Sequence, residues 1–265
     1  MRCSIHIALR TDVKQNVTLA GVEVSRIGLG TNRLRHTREN VAFIKAAVGA
    51  GLQHIDTAHL YAGGESEQTI GEALSPLPPD VVVATKGGVG GGSPEVLRAE
   101  IEESLRRLRA DTIALYYLHR VDPATPLEES VGAIKEYRDK GVIRHIGVSN
   151  VSVDQVERAR KVVPISVVQN LYNIAERRYD AVVDYCTAEG IVFVPFSPLR
   201  AEPPRVAEEI ARRRRTTVQQ VMLAWLLHRS PMMLPIPGSL SLEHLKENLG
   251  ALQMQLTDAD LEALN

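Results

Sequence analysis

The sequence contains only two cysteines, Cys3 and Cys186, among its 265 residues. Two cysteines cannot build a disulfide framework or a cysteine-rich metal site, and their scarcity fits a reducing compartment. The chain also lacks an apolar run of the roughly 20 residues that a membrane-spanning helix needs. Its first residues, MRCSIHIALRTDVKQ, contain no continuous apolar segment typical of a secretion signal. These absences predict a cytoplasmic protein with no membrane partner and no bound metal.

The chain also has no excess of either charge, because it contains 31 Lys and Arg residues and 32 Asp and Glu residues, for a formal net charge of -1. A protein that binds nucleic acid regardless of sequence would carry a clear excess of cations. The basic run at 212–215 is flanked by Glu208 and Glu209 and is interpreted as a solvent-exposed helix face. We therefore expect no nucleic-acid partner.

Two common phosphate-binding motifs are absent. No G-x-G-x-x-G follows the first predicted strand, and no GK[ST] loop occurs anywhere in the chain. A Rossmann dinucleotide site and a P-loop are therefore not indicated. The glycine-rich stretch KGGVGGGSP could imitate a phosphate cradle, but we interpret it as a mobile loop on the substrate side.

The chain instead alternates short Val- and Ile-rich runs with longer segments of helical periodicity, the pattern of a parallel sheet covered by helices. The eight predicted strands are RIGLG, QHID, VVVATK, TIALYYLH, RHIGVS, SVVQN, VFVPFS and MLPIPG. Eight alternations in this length, without a linker, favour a single (β/α)8 TIM barrel domain over residues 1–265. The segment VTLAGVEVSRIG predicts a hairpin that turns at Ala20-Gly21 and caps the barrel bottom, and residues 1–16 have no assignment.

Helix boundaries are marked by glycines and by capping residues. Gly51, Gly141 and Gly190 follow helical segments, where a residue without a Cβ can adopt the left-handed conformation. Ser93 precedes a proline at the first helical position, and Ser152 precedes another helical segment. These signals support the assignment of helices between the strands.

Polar side chains follow nearly every predicted strand, at the end where a barrel carries its chemistry. In chain order these are Gly30-Thr31-Asn32, Asp56, Lys86, His119, Ser149-Asn150, Gln169-Asn170, Phe196-Ser197 and Gly238-Ser239. A purely structural barrel would not need ionisable residues at three successive strand ends. The series therefore predicts an active site at this rim.

Asp56, Tyr61, Lys86 and His119 are the candidate catalytic residues. Asp56 and Lys86 end neighbouring strands and could form an ion pair, with Tyr61 five positions after Asp56. A cation about 4 Å from a phenol contributes roughly 4 kcal/mol at an effective dielectric near 20, which predicts a lowered Tyr61 pKa and a usable proton donor. Taken singly, the residues could instead be a strand-locking salt bridge, a loop anchor and a core histidine. Four of them at one rim favour catalysis.

The sequence resembles the aldo-keto reductase family from about Val17 to its end. The resemblance rests on HIDTAHLYAGGESEQTIGEAL, ATKGG, YYLHR, IRHIGVSN, VVQNLYN, VPFSPL and IPGSLSLEHLKENL, which occur in the family's order and spacing. It implies that Asp56, Tyr61, Lys86 and His119 form a catalytic tetrad. It also implies a nicotinamide dinucleotide site composed of Gly30, Thr31, Asn32, Asp56, Ser149, Asn150, Gln169, Phe196, Ser197, Leu199, Gly238, Ser239, His244, Glu247 and Asn248.

Within that implied site, Ser149, Asn150 and Gln169 hold the nicotinamide amide and Phe196 stacks on its ring. Family members with a strong NADP preference often carry Lys and Arg where this chain has Gly238 and His244. The absence of these two cations weakens the case for a site that selects the 2′-phosphate, but Ser239 and the neighbouring amides remain, so we expect NADPH as the cofactor, with NADH as an alternative. The helix after Ser239 could direct its N-terminal amides at a phosphate.

The resemblance implies a reductase that converts an aldehyde or ketone to an alcohol. The block from VIRHIGVSNV to VPFSPL is similar to bacterial members that include a pyridoxal reductase, so pyridoxal is the first candidate substrate. One alternative is a non-catalytic, nucleotide-binding redox-sensing or regulatory subunit on the same fold, and another is a phosphosugar isomerase barrel. The partner is expected to be a small carbonyl compound, and the chain a monomer or weak oligomer.

Overall fold

The computed structural model describes residues 14–265. Seven parallel strands, β3 to β9, form one sheet in sequence order, and two antiparallel strands, β1 and β2, precede it. The strands are β1 Asn16–Leu19, β2 Val22–Ser25, β3 Leu29–Gly30, β4 His54–Asp56, β5 Val82–Gly87, β6 Ile113–Leu118, β7 Ile143–Ser149, β8 Ile165–Leu171 and β9 Val192–Phe196. The predicted α/β barrel is confirmed.

The eighth predicted strand, MLPIPG, closes the barrel without forming a regular ladder. It is joined by isolated bridges to β9 at Phe193–Met233 and to β3 at Gly30–Gly238. The amides of Gly28 and Gly30 donate to the carbonyls of Pro235 and Pro237 at 3.0 and 3.2 Å. We call this junction between β3 and the eighth segment the seam. Pro235 and Pro237 have no N–H to donate, so the seam lacks two backbone donors that other residues at these positions would supply. The eighth segment is therefore a bridge and not a full strand.

The N-terminal hairpin is present as predicted. Its turn residues, Ala20 and Gly21, have positive φ angles of 48° and 79°, which match the twist of a tight hairpin. Val17, Leu19 and Val24 belong to the apolar cluster that fills the barrel interior. The hairpin therefore caps the end of the barrel opposite the polar strand ends. Residues 1–16 have no assignment from the sequence, and residues 1–13 of this segment lie outside the described residues.

Ten α-helices occur within residues 14–265, and they pack around the sheet. They are α1 Arg38–Gly49, α2 Glu65–Leu74, α3 Pro94–Leu108, α4 Leu127–Asp139, α5 Val153–Val162, α6 Asp180–Glu189, α7 Arg205–Arg214, α8 Val218–Arg229, α9 Leu242–Gly250 and α10 Asp258–Leu264. Ser93 and Ser152 cap α3 and α5 as predicted. Helices α7 and α8 are separate, because Arg215 is left-handed and Thr217 begins a new capping box.

Candidate active site

The carboxyl ends of the barrel strands surround a cavity of about 460 Å³. This volume lies in the range typical of small-molecule sites. Most of the residues predicted from the sequence line it: Gly30, Thr31, Asn32, Asp56, Tyr61, His119, Ser149, Asn150, Gln169, Phe196, Ser197, Leu199 and Gly238. The strand-end pattern in the sequence therefore located the cavity.

Lys86 lies behind the cavity wall in a fully buried ion pair with Asp56. Its ammonium donates to Asp56 Oδ1 at 2.5 Å and to the Thr57 carbonyl at 2.6 Å. Burial lowers the pKa of Lys86, but the adjacent Asp56 carboxylate and Tyr61 outweigh this effect, and the net direction is upward. Gln169 donates to the other Asp56 oxygen at 2.8 Å. Lys86 is therefore a fixed ammonium ion whose counterion is itself held in place.

Tyr61 places its hydroxyl 3.4 Å from the Lys86 ammonium, at the cavity wall. The sequence-based expectation of a lowered pKa is not met. Burial raises the pKa of Tyr61 above its ordinary value of 10.0, Asp56 adds to this rise, and the opposing effect of Lys86 is smaller. The phenol is therefore protonated at neutral pH, which is the form that a proton donor requires.

His119 lines the cavity beside Tyr61, with ring centroids 5.9 Å apart in an edge-to-face arrangement. Burial lowers the pKa of His119 to about 3, with Lys86 and Arg120 acting in the same direction. Its Nδ1 is buried and has no hydrogen-bond partner in the part of the chain that the structure describes. The side chain is thus a neutral imidazole at physiological pH, able to donate one hydrogen bond.

The loop that carries Tyr61 has an unusual backbone. Ala62, Gly63 and Gly64 follow one another with φ angles of 52°, 67° and 97°. On the other side of the loop, the Ser66 hydroxyl contacts the hydroxyls of Thr57 and Thr31 at 2.7 and 2.8 Å. Hydroxyl contacts and left-handed residues together set the direction in which Tyr61 points.

Ser149, Asn150 and Gln169 offer hydroxyl and amide groups at the ends of two adjacent strands. Asn150 has a positive φ of 57°. Its amide nitrogen donates to Ser149 Oγ and to the His119 carbonyl, each at 3.1 Å. Phe196, at the end of β9, adds a half-buried aromatic ring to the same wall. The group can pair with a carboxamide and pack against a flat ring.

Four predicted cofactor residues do not line the cavity and lie instead on α9 or just before it. Ser239 Oγ accepts the amide of Ser241, which caps α9. His244 is exposed on the first turn, while Glu247 follows on the next turn and Asn248 is buried. Ser239 and His244 lie at the N-terminal end of α9, and Glu247 and Asn248 lie further along the helix. Their predicted contact with the adenosine end of a cofactor stays a prediction.

The sequence reasoning missed five cavity residues, among them two arginines. The five are Arg33, Pro198, Arg200, Ile236 and Pro237. Each lies within two positions of a residue that was predicted, so extending every strand-end motif by one or two positions would have found them. The two arginines are cationic groups at the cavity that the sequence analysis did not assign to the site.

The residues around the cavity fit a nicotinamide dinucleotide. A phosphate needs cations or amides, and Arg33 and Arg200 are exposed at the rim. A nicotinamide needs amide-pairing groups and a flat apolar face, which the ends of β7, β8 and β9 provide. The buried Nδ1 of His119 is one polar atom at this cavity that finds no hydrogen-bond partner within residues 14–265. Within residues 14–265, no cluster of three His, Cys, Asp or Glu side chains is arranged to hold a metal ion.

The chain belongs to the aldo/keto reductase family. The family model "Aldo/keto reductase family" matches residues 26–202 and 201–265. These two matches cover nearly all of the barrel and every candidate site residue named above. The resemblance inferred from the motifs is therefore confirmed.

Known relatives agree with this assignment. Pyridoxine 4-dehydrogenase of Escherichia coli is 35% identical over 94% of this chain and 96% of its own length. A thermostable aldo-keto reductase solved with the inhibitor epalrestat has a TM-score of 0.88 and 34% identity, over 95% of this chain and 98% of that one. An aldo-keto reductase of Klebsiella pneumoniae solved with NADPH has a TM-score of 0.85 and 30% identity, over 95% of this chain and 94% of that one.

No helix within residues 14–265 is long and apolar enough to span a membrane.

Proposed function

We propose that this protein is an NADPH-dependent reductase that converts an aldehyde or ketone to an alcohol. The observation that carries the proposal is the Tyr61 hydroxyl at the cavity wall, 3.4 Å from the buried Lys86 ammonium. The NADPH-bound structure of the Klebsiella relative supports the choice of cofactor. NADH stays an alternative, because the cationic residues at the rim are exposed and few.

In this proposal the bound nicotinamide supplies a hydride to the carbonyl carbon. Tyr61 and the neutral His119 donate hydrogen bonds to the carbonyl oxygen, where negative charge develops. Tyr61 then gives its proton to that oxygen, and the adjacent Lys86 ammonium stabilises the phenolate that is left. Asp56 holds Lys86 in place through the 2.5 Å contact. Ser149, Asn150 and Phe196 fix the cofactor's orientation before reaction.

The substrate that we propose first is pyridoxal. Support comes from the pyridoxine 4-dehydrogenase of Escherichia coli, whose similarity extends over 94% of this chain. The oxidation of pyridoxine at its 4-position and the reduction of pyridoxal are the two directions of one reaction. A carbonyl group on a flat heteroaromatic ring also suits a cavity with an aromatic wall.

The test is a steady-state assay with pyridoxal, 4-nitrobenzaldehyde and an aliphatic aldehyde, each with NADPH and with NADH. We expect oxidation of NADPH in every case and the highest kcat/KM for pyridoxal. A much higher kcat/KM for 4-nitrobenzaldehyde would remove pyridoxal and leave the reductase proposal intact. Absence of single-turnover NADPH oxidation by folded protein that binds NADPH would instead support a redox-sensing role.

A further inference from the structure

Three charged side chains on one face of helix α3 contact the loop that carries Tyr61 and the loop that follows Lys86 at the end of β5. These are Glu100, Glu103 and Arg107, spaced three and four residues apart, so they project from the same side of the helix. We propose that this group, the α3 clamp, positions the Tyr61 hydroxyl against the Lys86 ammonium. None of the three lines the cavity, so they are positioning residues, and the inference rests on the proposed function.

Arg107 holds the Tyr61 loop on both sides of the tyrosine. Its Nη1 donates to the carbonyl of His59 at 2.8 Å, two residues before Tyr61. Its guanidinium also packs against Gly64, three residues after Tyr61, where an added Cβ would lie 2.3 Å from Arg107 Cζ. Glycine at 64 thus permits a contact that any other residue would block, and the loop ends are fixed by one side chain.

The carboxylates of the clamp fix the His59 ring. Glu103 Oε2 contacts His59 Nε2 at 2.8 Å, and Glu100 Oε1 lies 3.7 Å from His59 Nδ1. The His59 backbone amide donates to the Lys86 carbonyl at 2.9 Å. The same residue is therefore tied to α3 by its ring and its carbonyl, and to the Lys86 strand by its amide.

Glu100 connects the clamp to the second loop. Its Oε2 accepts the amide of Gly88, two residues after Lys86, at 2.5 Å. A single helix face thus contacts the chain on both sides of the Tyr61–Lys86 pair. Rotation or withdrawal of this face would change the distance between the two catalytic candidates.

The clamp is anchored by a buried carboxylate. Arg107 is 12% exposed and lies 3.4 Å from Glu67 Oε2, whose side chain is fully buried. Glu67 also accepts a hydrogen bond from Thr85 at 2.6 Å, on the strand that carries Lys86. Removing Arg107 alone would leave this buried charge without its cation and would destabilise the protein. A variant test must therefore separate stability from positioning.

The test compares Arg107→Met with Arg98→Met, a second arginine on α3 whose side chain pairs with Glu136 and contacts none of the clamp residues. A double variant, Arg107→Met with Glu67→Gln, removes the buried charge as well, and we expect it to be more stable than Arg107→Met alone. Arg107→Lys retains a cation and serves as the conservative rescue. All four proteins are compared with the unmodified chain at equal folded fraction.

The first readout needs no catalysis. Hydrogen exchange of the Tyr61 loop amides, including the Tyr61 N–H that bonds to the Ala58 carbonyl, should become faster in Arg107→Met and in the double variant. Arg98→Met should exchange like the unmodified protein. Unchanged exchange in both Arg107→Met proteins would overturn the clamp.

The second readout is kinetic. In the double variant kcat should fall about 10- to 100-fold, because a misplacement near 1 Å costs rates of that order. The Kd of NADPH should change less than twofold, and the primary deuterium isotope effect on kcat should rise. Arg107→Lys should recover part of kcat. If the unmodified protein reduces carbonyls and the double variant has the same kcat, the clamp proposal is wrong. If the unmodified protein reduces no carbonyl but the variants exchange their loop amides faster, the proposed function is wrong and the clamp proposal is supported.

Discussion

Lys86 directs one hydrogen bond at the Tyr61 hydroxyl, 3.4 Å away, while its other contacts, Asp56 and the Thr57 carbonyl, are shorter at 2.5 and 2.6 Å. The ammonium is therefore anchored by its short contacts and presents its remaining hydrogen to the phenol. A phenolate formed at Tyr61 would shorten this third contact. The pair is built to stabilise the deprotonated product of a proton transfer.

Replacing Tyr61 with phenylalanine removes the proposed proton donor and little volume. We expect kcat for carbonyl reduction to fall by about 100-fold or more, the usual contribution of general acid catalysis. The Kd of NADPH, measured by calorimetry, should stay within twofold. Tyr179→Phe is the matched control, because that half-buried tyrosine does not line the cavity. Near-normal turnover by Tyr61→Phe would place the proton donor elsewhere.

Replacing Lys86 with methionine should reduce both turnover and stability. The change leaves the Asp56 carboxylate buried without its cation, which costs about 3–5 kcal/mol in the free energy of unfolding. Adding Asp56→Asn removes that charge and should restore most of the stability but none of the turnover. Urea unfolding and steady-state kinetics on both variants check the prediction. Recovery of turnover together with stability would contradict a role for the ammonium.

The pH dependence of stability should carry a contribution from His119. Its folded-state pKa of about 3 lies below the ordinary value of 6.5, so the unfolded chain binds the proton more readily in this range. The neutral ring therefore stabilises the fold above pH 6.5, and this contribution is lost as the pH falls toward 3. His119→Gln should lose less stability on acidification than the unmodified protein. If the unfolding free energies of His119→Gln and the unmodified protein have equal slopes against pH, the pKa of His119 is not lowered by burial.

Arg33 and Arg200 should contribute to cofactor affinity through charge. We expect Arg33→Met and Arg200→Met each to raise the Kd of NADPH about 2- to 5-fold, the range for exposed ion pairs. The effect should shrink at high ionic strength, because exposed charges are screened by salt. Arg98→Met on α3, which pairs with Glu136 away from the cavity, is the control. Equal affinity in all variants would remove the two arginines from the site.

The sequence was sufficient for the barrel and most of the cavity for a simple reason. Parallel strands end at one rim, so polar residues after each apolar run must meet there. The sequence analysis did not predict that the eighth segment forms only isolated bridges, although Pro235 and Pro237, which have no backbone N–H, indicate an incomplete ladder. It also gave the wrong direction for the pKa of Tyr61, because burial depends on packing by residues distant in sequence.

The clamp on α3 illustrates a different limit of sequence reasoning. Glu100, Glu103 and Arg107 have the spacing of an ordinary solvated helix face, and nothing in the chain distinguishes them from Arg98 or Arg106. Their proposed role depends on the groups that they contact, which are the His59 carbonyl, the Gly88 amide and the buried Glu67. Contacts between a helix and two remote loops are fixed only by the three-dimensional fold.

The proline-containing seam has a consequence for the energetics of ligand binding. Gly30 on one side of the seam and Ile236 to Gly238 on the other all border the cavity. A molecule that contacts both sides would link two segments that are otherwise joined by the hydrogen bonds from the Gly28 and Gly30 amides to the Pro235 and Pro237 carbonyls. Occupancy should therefore slow local opening at this joint more than at the continuous pairs between β5 and β8, and the barrel would be most completely closed while it holds its ligand.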